Sequence, residues 1–252
     1  MTAAMTSVVL VRDEGDLRRI TLNRPEKINA LDTAMLLALT EAVESAPRAG
    51  AVMVAIDGAG PRGFCAGGDV AEMGRGAEAF AAQEEALRAA MQALHGSAVP
   101  VVSVVHGRTL GAGCIVACLS DLVLGADSVQ FGFPEMRFGL YPAFVHAALT
   151  ERLPAALAFQ ICAGGRMLSA AEAYGFGFLT EILPAEGFAG AVEARVAHYR
   201  ERVDALVIGR RILRMEYRPS MAEKTRRLAP LLAENHAAPS VRRLLAGLSF
   251  AR

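Results

Sequence analysis

Two glycine-rich segments of this sequence could place bare backbone amides against a ligand. They are residues 63–69 (GFCAGGD) and residues 106–114 (HGRTLGAGC). Glycine lets the backbone come close to a bound group, and a helix that begins after such a turn presents free N–H groups. Donors of this kind stabilise a phosphate or an oxyanion that develops during a reaction. Neither segment has the residues of a Walker loop or the spacing of a dinucleotide-binding fingerprint, which argues against a nucleotide site.

Each glycine-rich segment follows a predicted buried strand. The two preceding apolar runs, Ala51–Ile56 and Val99–Val105, contain many β-branched residues. Strands and helices alternate through the first half of the chain, and this order predicts an α/β core with largely parallel strands. The carboxyl ends of neighbouring parallel strands lie at one edge of a sheet. The two glycine-rich segments are therefore expected to share one site at that edge.

Shorter elements surround this predicted core. Apolar runs at Ser7–Val11 and Leu17–Leu22, separated by charged residues and a glycine, predict an N-terminal hairpin. From Ala143 onward the composition predicts mostly helices, with one strand at Phe178–Leu183.

Composition and charge exclude several classes of protein. Of the 252 residues, 53% are hydrophobic, which excludes an intrinsically disordered chain. The 26 basic and 26 acidic residues give a formal net charge of zero, so no nucleic-acid partner is expected. No apolar run approaches the roughly 20 residues that cross a bilayer, and no signal-peptide pattern is visible, so we expect a cytoplasmic protein without membrane contact. The four cysteines fit no zinc or redox spacing, which predicts free thiols and no metal site.

Five segments, taken in order, carry a resemblance to a known family. They are residues 22–32 (LNRPEKINALD), 64–69 (FCAGGD), 107–114 (GRTLGAGC), 131–140 (FGFPEMRFGL) and 165–174 (GRMLSAAEAY). They resemble the CoA-binding loop, the two oxyanion motifs, the catalytic-glutamate segment and a downstream helix of the enoyl-CoA hydratase/isomerase (crotonase) superfamily. Ala112 stands where that family most often has glycine.

The resemblance implies a fold, an assembly and a substrate class. The fold would be an α/β spiral of ββα units over residues 1–195, holding the acyl-CoA site. A helical oligomerisation region would follow over residues 196–252, and the chain would form a homotrimer or a dimer of trimers. The substrate would be an acyl-CoA thioester, with coenzyme A as part of the substrate and no separate cofactor.

The resemblance also assigns roles to individual residues. The backbone N–H groups of Gly68 and Ala112 would hold the thioester oxygen as an oxyanion. The positions that would line the substrate are Lys27, Ile28, Ala30 and Ala66 along coenzyme A, Asp69, Val70 and Ala71 beside the thioester, and Gly111, Ile115 and His146.

Glu135 is the residue that the resemblance implies for proton transfer. Its apolar neighbours, such as Phe131, Phe133 and Leu140, would disfavour the charged carboxylate and raise its pKa. A carboxyl group whose pKa lies nearer the working pH is a better general acid or base.

Two departures from the family pattern bear on the reaction. Two-acid hydratases carry a second glutamate where this chain has Ile115, and the usual glycine-rich stretch after the catalytic glutamate is replaced by Pro142–His146. A one-acid, isomerase-like reaction is therefore favoured. The alternatives are hydration of a 2-enoyl-CoA with His146 as a substitute acid or base, decarboxylation, thioester hydrolysis, or acyl-CoA binding without efficient catalysis. Hydrolysis is the less favoured of these because Ala143 stands where the hydrolase branch has an acid.

Overall fold

The computed structural model describes residues 7–215, 220–239, 241 and 242. The strands are β1 (Val9–Glu14), β2 (Leu17–Leu22), β3 (Met53–Gly58), β4 (Val101–Val105), β5 (Arg108–Leu110), β6 (Leu122–Ala126), β7 (Gln130–Gly132), β8 (Leu168–Ser169) and β9 (Glu181–Leu183). The helices are α1 (Thr33–Ser45), α2 (Val70–Met73), α3 (Ala77–Gly96), α4 (Ala112–Leu119), α5 (Ala143–Leu149), α6 (Ala155–Gly164), α7 (Ala170–Gly175), α8 (Phe188–Arg200), α9 (Val203–Met215) and α10 (Met221–Ala237).

Six strands form the main sheet in the order β1-β2-β3-β4-β6-β9. The β1–β2 pair is antiparallel, and every later pair in this sheet is parallel. Because β3 and β4 are parallel neighbours, the two glycine-rich segments leave the sheet side by side at its carboxyl edge. The predicted α/β core with largely parallel strands is confirmed.

The centre of the main sheet is buried on both faces. On β3, Val54 and Ile56 face a cluster that includes α1, α3 and α4, while Met53 and Ala55 face a second cluster that includes α8. This alternation is the two-residue period of a strand. A sheet covered by helices on both faces holds its strand ends rigidly, which suits a site that must be preorganised.

A second sheet, β5-β7-β8, stands beside the first. The sequence interpretation treated residues 107–113 as a turn, but Arg108–Leu110 form β5, which pairs in parallel with β7. This pairing brings Leu110 opposite Gly132. The segment that carries Glu135 therefore starts next to the start of α4.

The first and the last strand differ most clearly from the expectation. β1 continues to Glu14 instead of ending at Val11, because its charged residues pair across the hairpin: Arg18 Nε lies 2.7 Å from Asp13 Oδ1. Apolar alternation alone cannot detect such an edge strand. The strand predicted at 178–183 is reduced to β9, because Phe178 turns inward and packs edge-on against Phe131 with ring centroids 4.4 Å apart.

The described residues after β9 are mostly helical, as expected. The predicted boundary near residue 195 falls within α8, and the division into two domains stays a prediction, as does the assembly into a trimer or hexamer. Several apolar side chains of α9 and α10 are more than half exposed, among them Ile208, Ile212, Leu213 and Leu231. Leu244 and Leu245, which also prompted the prediction of assembly, lie outside the described residues. Among the described helices, none combines the length and the apolar character that a bilayer crossing requires.

Candidate active site

The two glycine-rich segments lie against each other along a short ladder of backbone hydrogen bonds. The Cys65 N–H donates to the Arg108 carbonyl at 3.2 Å, and the Leu110 N–H donates to the Cys65 carbonyl at 2.9 Å. This ladder fixes the register between the loop after β3 and the entry to α4. As a result Gly68 and Ala112, which are far apart in sequence, border one cavity of about 170 Å³.

The close approach of these segments depends on missing side chains. Gly67 has a φ of +99°, and a Cβ placed on it would lie 3.1 Å from the Leu110 carbonyl oxygen. Gly111 has a φ of +46°, and a Cβ there would lie 2.7 Å from Oε1 of Glu135. Any other residue at 111 would push the carboxylate away. The predicted substrate-lining position Gly111 thus acts by leaving room for Glu135.

Two backbone donors at the cavity are uncommitted. Within the described part of the chain, the N–H groups of Gly68 and Ala112 make no hydrogen bond. The neighbouring amides are used: Asp69 N–H donates to the Leu31 carbonyl at 2.8 Å, and Gly111 N–H donates to the Gly132 carbonyl at 2.9 Å. Ala112 is the first residue of α4, where a helix has no internal acceptor for its N–H. Two free donors beside one cavity can stabilise an oxyanion.

Glu135 lies in a short 3₁₀ turn, Pro134–Phe138, that follows β7. Its side chain borders the same cavity, and its buried Oε2 has no hydrogen-bond partner among the described residues. Burial raises the pKa of Glu135, and a hydrogen bond from its own backbone N–H offsets only part of that effect. The expected direction of the shift is confirmed. A carboxyl group with a free oxygen and a raised pKa is suited to taking up and returning a proton.

No cation of the described residues compensates the charge of Glu135. The ionisable groups that interact with it electrostatically are the thiols of Cys114 and Cys162. Burial raises the pKa of Cys162 to about 12 and that of Cys114 well above its usual value, so both thiols are neutral near pH 7. The rise in the pKa of Glu135 that burial causes is therefore not offset by a neighbouring positive charge.

Ile115 occupies the position where a second acid would stand. Its side chain is 2% exposed and borders the cavity with Glu135. An isoleucine cannot hold or orient a water molecule, so this wall of the cavity is apolar.

The N-terminal loop is attached to the first glycine-rich segment by Asp69. Its Oδ2 accepts hydrogen bonds from Arg24 at 2.9 Å and Lys27 at 3.0 Å, and Oδ1 caps α2 through the Ala71 N–H. Burial acts to raise the pKa of Asp69, but the hydrogen bonds and charges of Lys27 and Arg24 outweigh it, and the net pKa is lowered. Asp69 is therefore ionised and joins two loops, a role that its predicted place beside the substrate did not include.

The other predicted substrate-binding positions lie around this junction and outside the wall of the cavity. Ala66 N–H donates to the Ile28 carbonyl at 2.8 Å, and the Ala30 carbonyl accepts from Arg24 at 2.7 Å. Val70 is 51% exposed, and Ala71 follows it at the surface. Their role along coenzyme A stays a prediction.

Asn29 is a structural residue that the sequence interpretation did not single out. It is fully buried, has a φ of +54°, and donates from Nδ2 to the carbonyls of Ala59 and Phe64 at 2.9 and 3.0 Å. Its Oδ1 accepts from the Arg24 N–H at 2.9 Å. Asparagine adopts a positive φ more readily than most residues, and this would have been the only signal available in the sequence.

His146 does not border the cavity that contains Glu135. Its Nδ1 is 2.6 Å from the hydroxyl of Tyr141, and it is Tyr141 that reaches the cavity wall. Burial and the charge of Lys224 lower the pKa of His146, so its imidazole is neutral near pH 7. The structure brings Gly68, Ala112, Ile115 and Glu135 together, whereas His146 lies outside this group and hydrogen-bonds to Tyr141 of the cavity wall.

Helices α2, α3 and α10 contribute cavity residues that the sequence interpretation missed. They are Met73 of α2, Phe80, Gln83, Glu84 and Leu87 of α3, and Leu232 and His236 of α10. The spacing of residues 80, 83, 84 and 87 indicates one helical face, but it does not indicate what that face covers.

Comparison with known proteins agrees with this geometry. Residues 12–233 match the family model described as Enoyl-CoA hydratase/isomerase. The chain is 32% identical over 184 residues to a Mycobacterium bovis protein named "Probable enoyl-CoA hydratase", a match that covers 71% of this chain and 69% of that protein. It is 31% identical over 188 residues to the 2,3-dehydroadipyl-CoA hydratase of Escherichia coli, with 72% and 71% covered.

A solved structure supports the fold assignment. The carnitinyl-CoA hydratase from Mycobacterium avium superposes with a TM-score of 0.81 at 26% identity, covering 96% of this chain and 95% of that one. The expected crotonase-like α/β fold is thereby confirmed. From the match to the family model over most of the chain, together with these relatives, we conclude that the chain belongs to the enoyl-CoA hydratase/isomerase family.

Proposed function

We propose that this protein acts on an acyl-CoA thioester through an oxyanion-stabilised enolate, with Glu135 as its single proton shuttle. The observation that carries the proposal is one cavity bordered by two uncommitted backbone N–H groups, by a carboxyl group with a raised pKa, and by Ile115 at the second-acid position. Moving a double bond needs one group that removes a proton from one carbon and returns it to another. Isomerisation of an enoyl-CoA is therefore the reaction that these residues support best.

The two amides supply the electrostatic part of the mechanism. When a proton leaves the carbon next to the thioester, negative charge develops on the carbonyl oxygen, and the N–H groups of Gly68 and Ala112 would donate to it. Each such donor contributes roughly 2.7–4 kcal/mol to transition-state stabilisation in well-studied enzymes. Glu135 would take that proton as a carboxylate and return it as a carboxylic acid, which leaves it unchanged after each turnover.

The loop held by Asp69 is the proposed site for the coenzyme A portion. Lys27 lies at the surface of this loop, with a side chain 45% exposed, and its ammonium group could meet a phosphate while remaining next to Asp69. Ile28, Ala30 and Ala66 offer backbone and small apolar surface close to the first glycine-rich segment.

Hydration of a 2-enoyl-CoA is the second candidate. Two relatives described above are named as hydratases, and hydration uses the same enolate chemistry. It also needs a group that activates water. Tyr141 borders the cavity and is hydrogen-bonded to His146. This pair could activate water in place of the second glutamate, and it is the observation that favours the second candidate.

A panel of CoA thioesters separates these reactions. We expect conversion of a 3-enoyl-CoA to the conjugated 2-enoyl-CoA to be faster than hydration of crotonyl-CoA. Glu135→Gln should lower this conversion by about a hundredfold or more, because an amide cannot exchange the proton. Chromatography with mass detection, combined with the absorbance of the conjugated thioester, measures both reactions and also detects decarboxylation of a malonyl-type thioester and thioester hydrolysis.

Rapid hydration by the wild-type protein would contradict the one-acid mechanism. In that case, hydration lost in His146→Ala but kept in the control Ile115→Ala would identify His146 as part of the substitute. Tight binding of all thioesters without turnover would indicate an acyl-CoA-binding protein.

The raised pKa of Glu135 also predicts how stability depends on pH. The folded protein holds this proton to a higher pH than the unfolded chain does, so the stabilisation is complete at low pH and is lost as the pH rises through the raised pKa. Glutamine has no such proton. Glu135→Gln should therefore gain stability relative to the wild type as the pH rises from the ordinary glutamate range through the raised pKa, measured from urea unfolding curves.

The control for this experiment is Glu26→Gln, which changes an exposed glutamate in the N-terminal loop. Its stability should follow that of the wild type across the whole range. A constant difference in free energy between Glu135→Gln and the wild type at every pH would show that the folded state does not raise this pKa.

The assembly is a separate proposal. Ile208, Ile212 and Leu213 of α9 are each more than half exposed, and an apolar surface of this kind is typical of a subunit interface. We expect a homotrimer or a dimer of trimers by sedimentation equilibrium at micromolar concentration, and Ile212→Glu should shift the population towards smaller species. A stable wild-type monomer would contradict the proposal.

The free cysteine thiols are the basis for proposing a cytoplasmic location. Cys65, Cys114, Cys118 and Cys162 are all buried and free. Unpaired buried cysteines of this kind are typical of proteins that work in a reducing compartment.

A further inference from the structure

Four side chains separate the cavity of Glu135 from a second cavity. Phe80 and Glu84 of α3 and Leu232 and His236 of α10 border both spaces. The second cavity measures about 330 Å³, and neither Glu135 nor the two amide donors border it. An acyl chain that extends from the reacting atoms into the first cavity can therefore meet this wall of four side chains.

The wall contains a carboxylate with unused hydrogen-bonding capacity. The side chain of Glu84 is 19% exposed, and its Oε1 accepts a hydrogen bond from Arg88 Nη1 at 2.6 Å. Among the described residues, Oε2 of Glu84 has no hydrogen-bond partner. An ionised carboxylate has about four acceptor positions, so most of this capacity is unused.

The wall also contains an imidazole that makes no hydrogen bond within the described part of the chain. His236 packs edge-on against Phe80 with ring centroids 5.0 Å apart. Burial lowers the pKa of His236, and the nearby charge of Glu84 offsets only part of that effect. The ring is therefore neutral near pH 7, with one nitrogen that donates and one that accepts.

Apart from Gln83 of the first cavity, Arg242 of the second cavity and Arg88, which bonds to Glu84, the side chains around these two groups are mostly apolar. Leu36, Leu87 and Phe144 border the first cavity. Once an acyl chain fills the cavity and displaces water, a polar group without a partner costs free energy. A ligand that supplies the missing partner is then preferred over one of the same shape that does not.

We propose that Glu84 and His236 form a polar subsite that selects an acyl group with a hydroxyl at its far end over an alkyl-ended acyl group of the same length. A hydroxyl can donate to the carboxylate of Glu84 and accept from the N–H of His236. A carboxylate at the same place would face the negative charge of Glu84, and a methyl group would leave Oε2 of Glu84 and the imidazole of His236 without a partner. The inference rests on the proposed acyl-CoA function and adds the chemistry of the acyl end.

Calorimetric binding of saturated acyl-CoA thioesters tests this subsite without requiring turnover. Pairs with a hydroxyl or a hydrogen at the terminal carbon are compared over a series of chain lengths. We expect the hydroxylated member to bind about tenfold more tightly at the length that reaches the wall, which corresponds to one or two hydrogen bonds. Glu84→Leu and His236→Phe should each remove most of this preference, and phenylalanine keeps the packing against Phe80.

The matched control is Glu85→Leu. Glu85 binds the same Arg88, but its side chain is 73% exposed and does not border the cavity. The preference should persist in this variant, whereas its loss there would show that the effect comes from the charge balance of α3 and would overturn the proposal.

The remaining outcomes are distinct. Equal affinities for both members at every length, or tighter binding of the alkyl member, would overturn the polar subsite and leave acyl-CoA recognition intact. Failure to bind any CoA thioester would overturn the proposed function and the subsite together.

Discussion

The close contact between two backbones at the carboxyl edge of the main sheet determines the rest of this site. A Cβ on Gly111 would lie 2.7 Å from Glu135 Oε1 and 3.7 Å from the Cα of Gly67, so the loop after β3, the start of α4 and the glutamate share a space that has no room for a side chain. The β5–β7 pairing and the ladder between Cys65 and Leu110 hold this contact in register. The parallel arrangement of β3 and β4 directs the two glycine-rich segments to this contact.

The same packing raises the pKa of Glu135 at a cost in stability. Glu135 is held in an apolar environment, and no cation among the described residues offsets its charge. The nearby carboxylate of Asp69 has a different environment. It is paired with Arg24 and Lys27, which keeps it ionised and fixes the N-terminal loop. One carboxylate thus joins two loops while the other keeps an unpaired oxygen and a raised pKa, and their environments account for the difference.

The sequence predicted the centre of the site better than its walls. Local pattern and topology predicted that the two glycine-rich segments, which carry Gly68 and Ala112, share one site, whereas Ile115 and Glu135 were assigned to it by the family resemblance. His146 was expected at the substrate. In the structure Tyr141 lines the cavity, and His146, on α5, lies outside the cavity with its Nδ1 2.6 Å from the hydroxyl of Tyr141. Glu84 and His236 are 152 positions apart, and no local pattern connects α3 with α10. Asn29 was missed because its importance lies in hydrogen bonds from its side chain to the distant carbonyls of Ala59 and Phe64.

The most direct test of the central claim is the carbonyl stretching frequency of a bound, ¹³C-labelled thioester in the wild type, in Ala112→Pro and in Ala112→Gly. Proline removes the N–H at the first position of α4, where helices tolerate it, and glycine keeps the donor. We predict a shift to lower frequency in the wild type and in Ala112→Gly. In Ala112→Pro most of that shift should be lost, together with about a hundredfold or more of the turnover. A folded Ala112→Pro protein with the wild-type frequency and turnover would contradict the account.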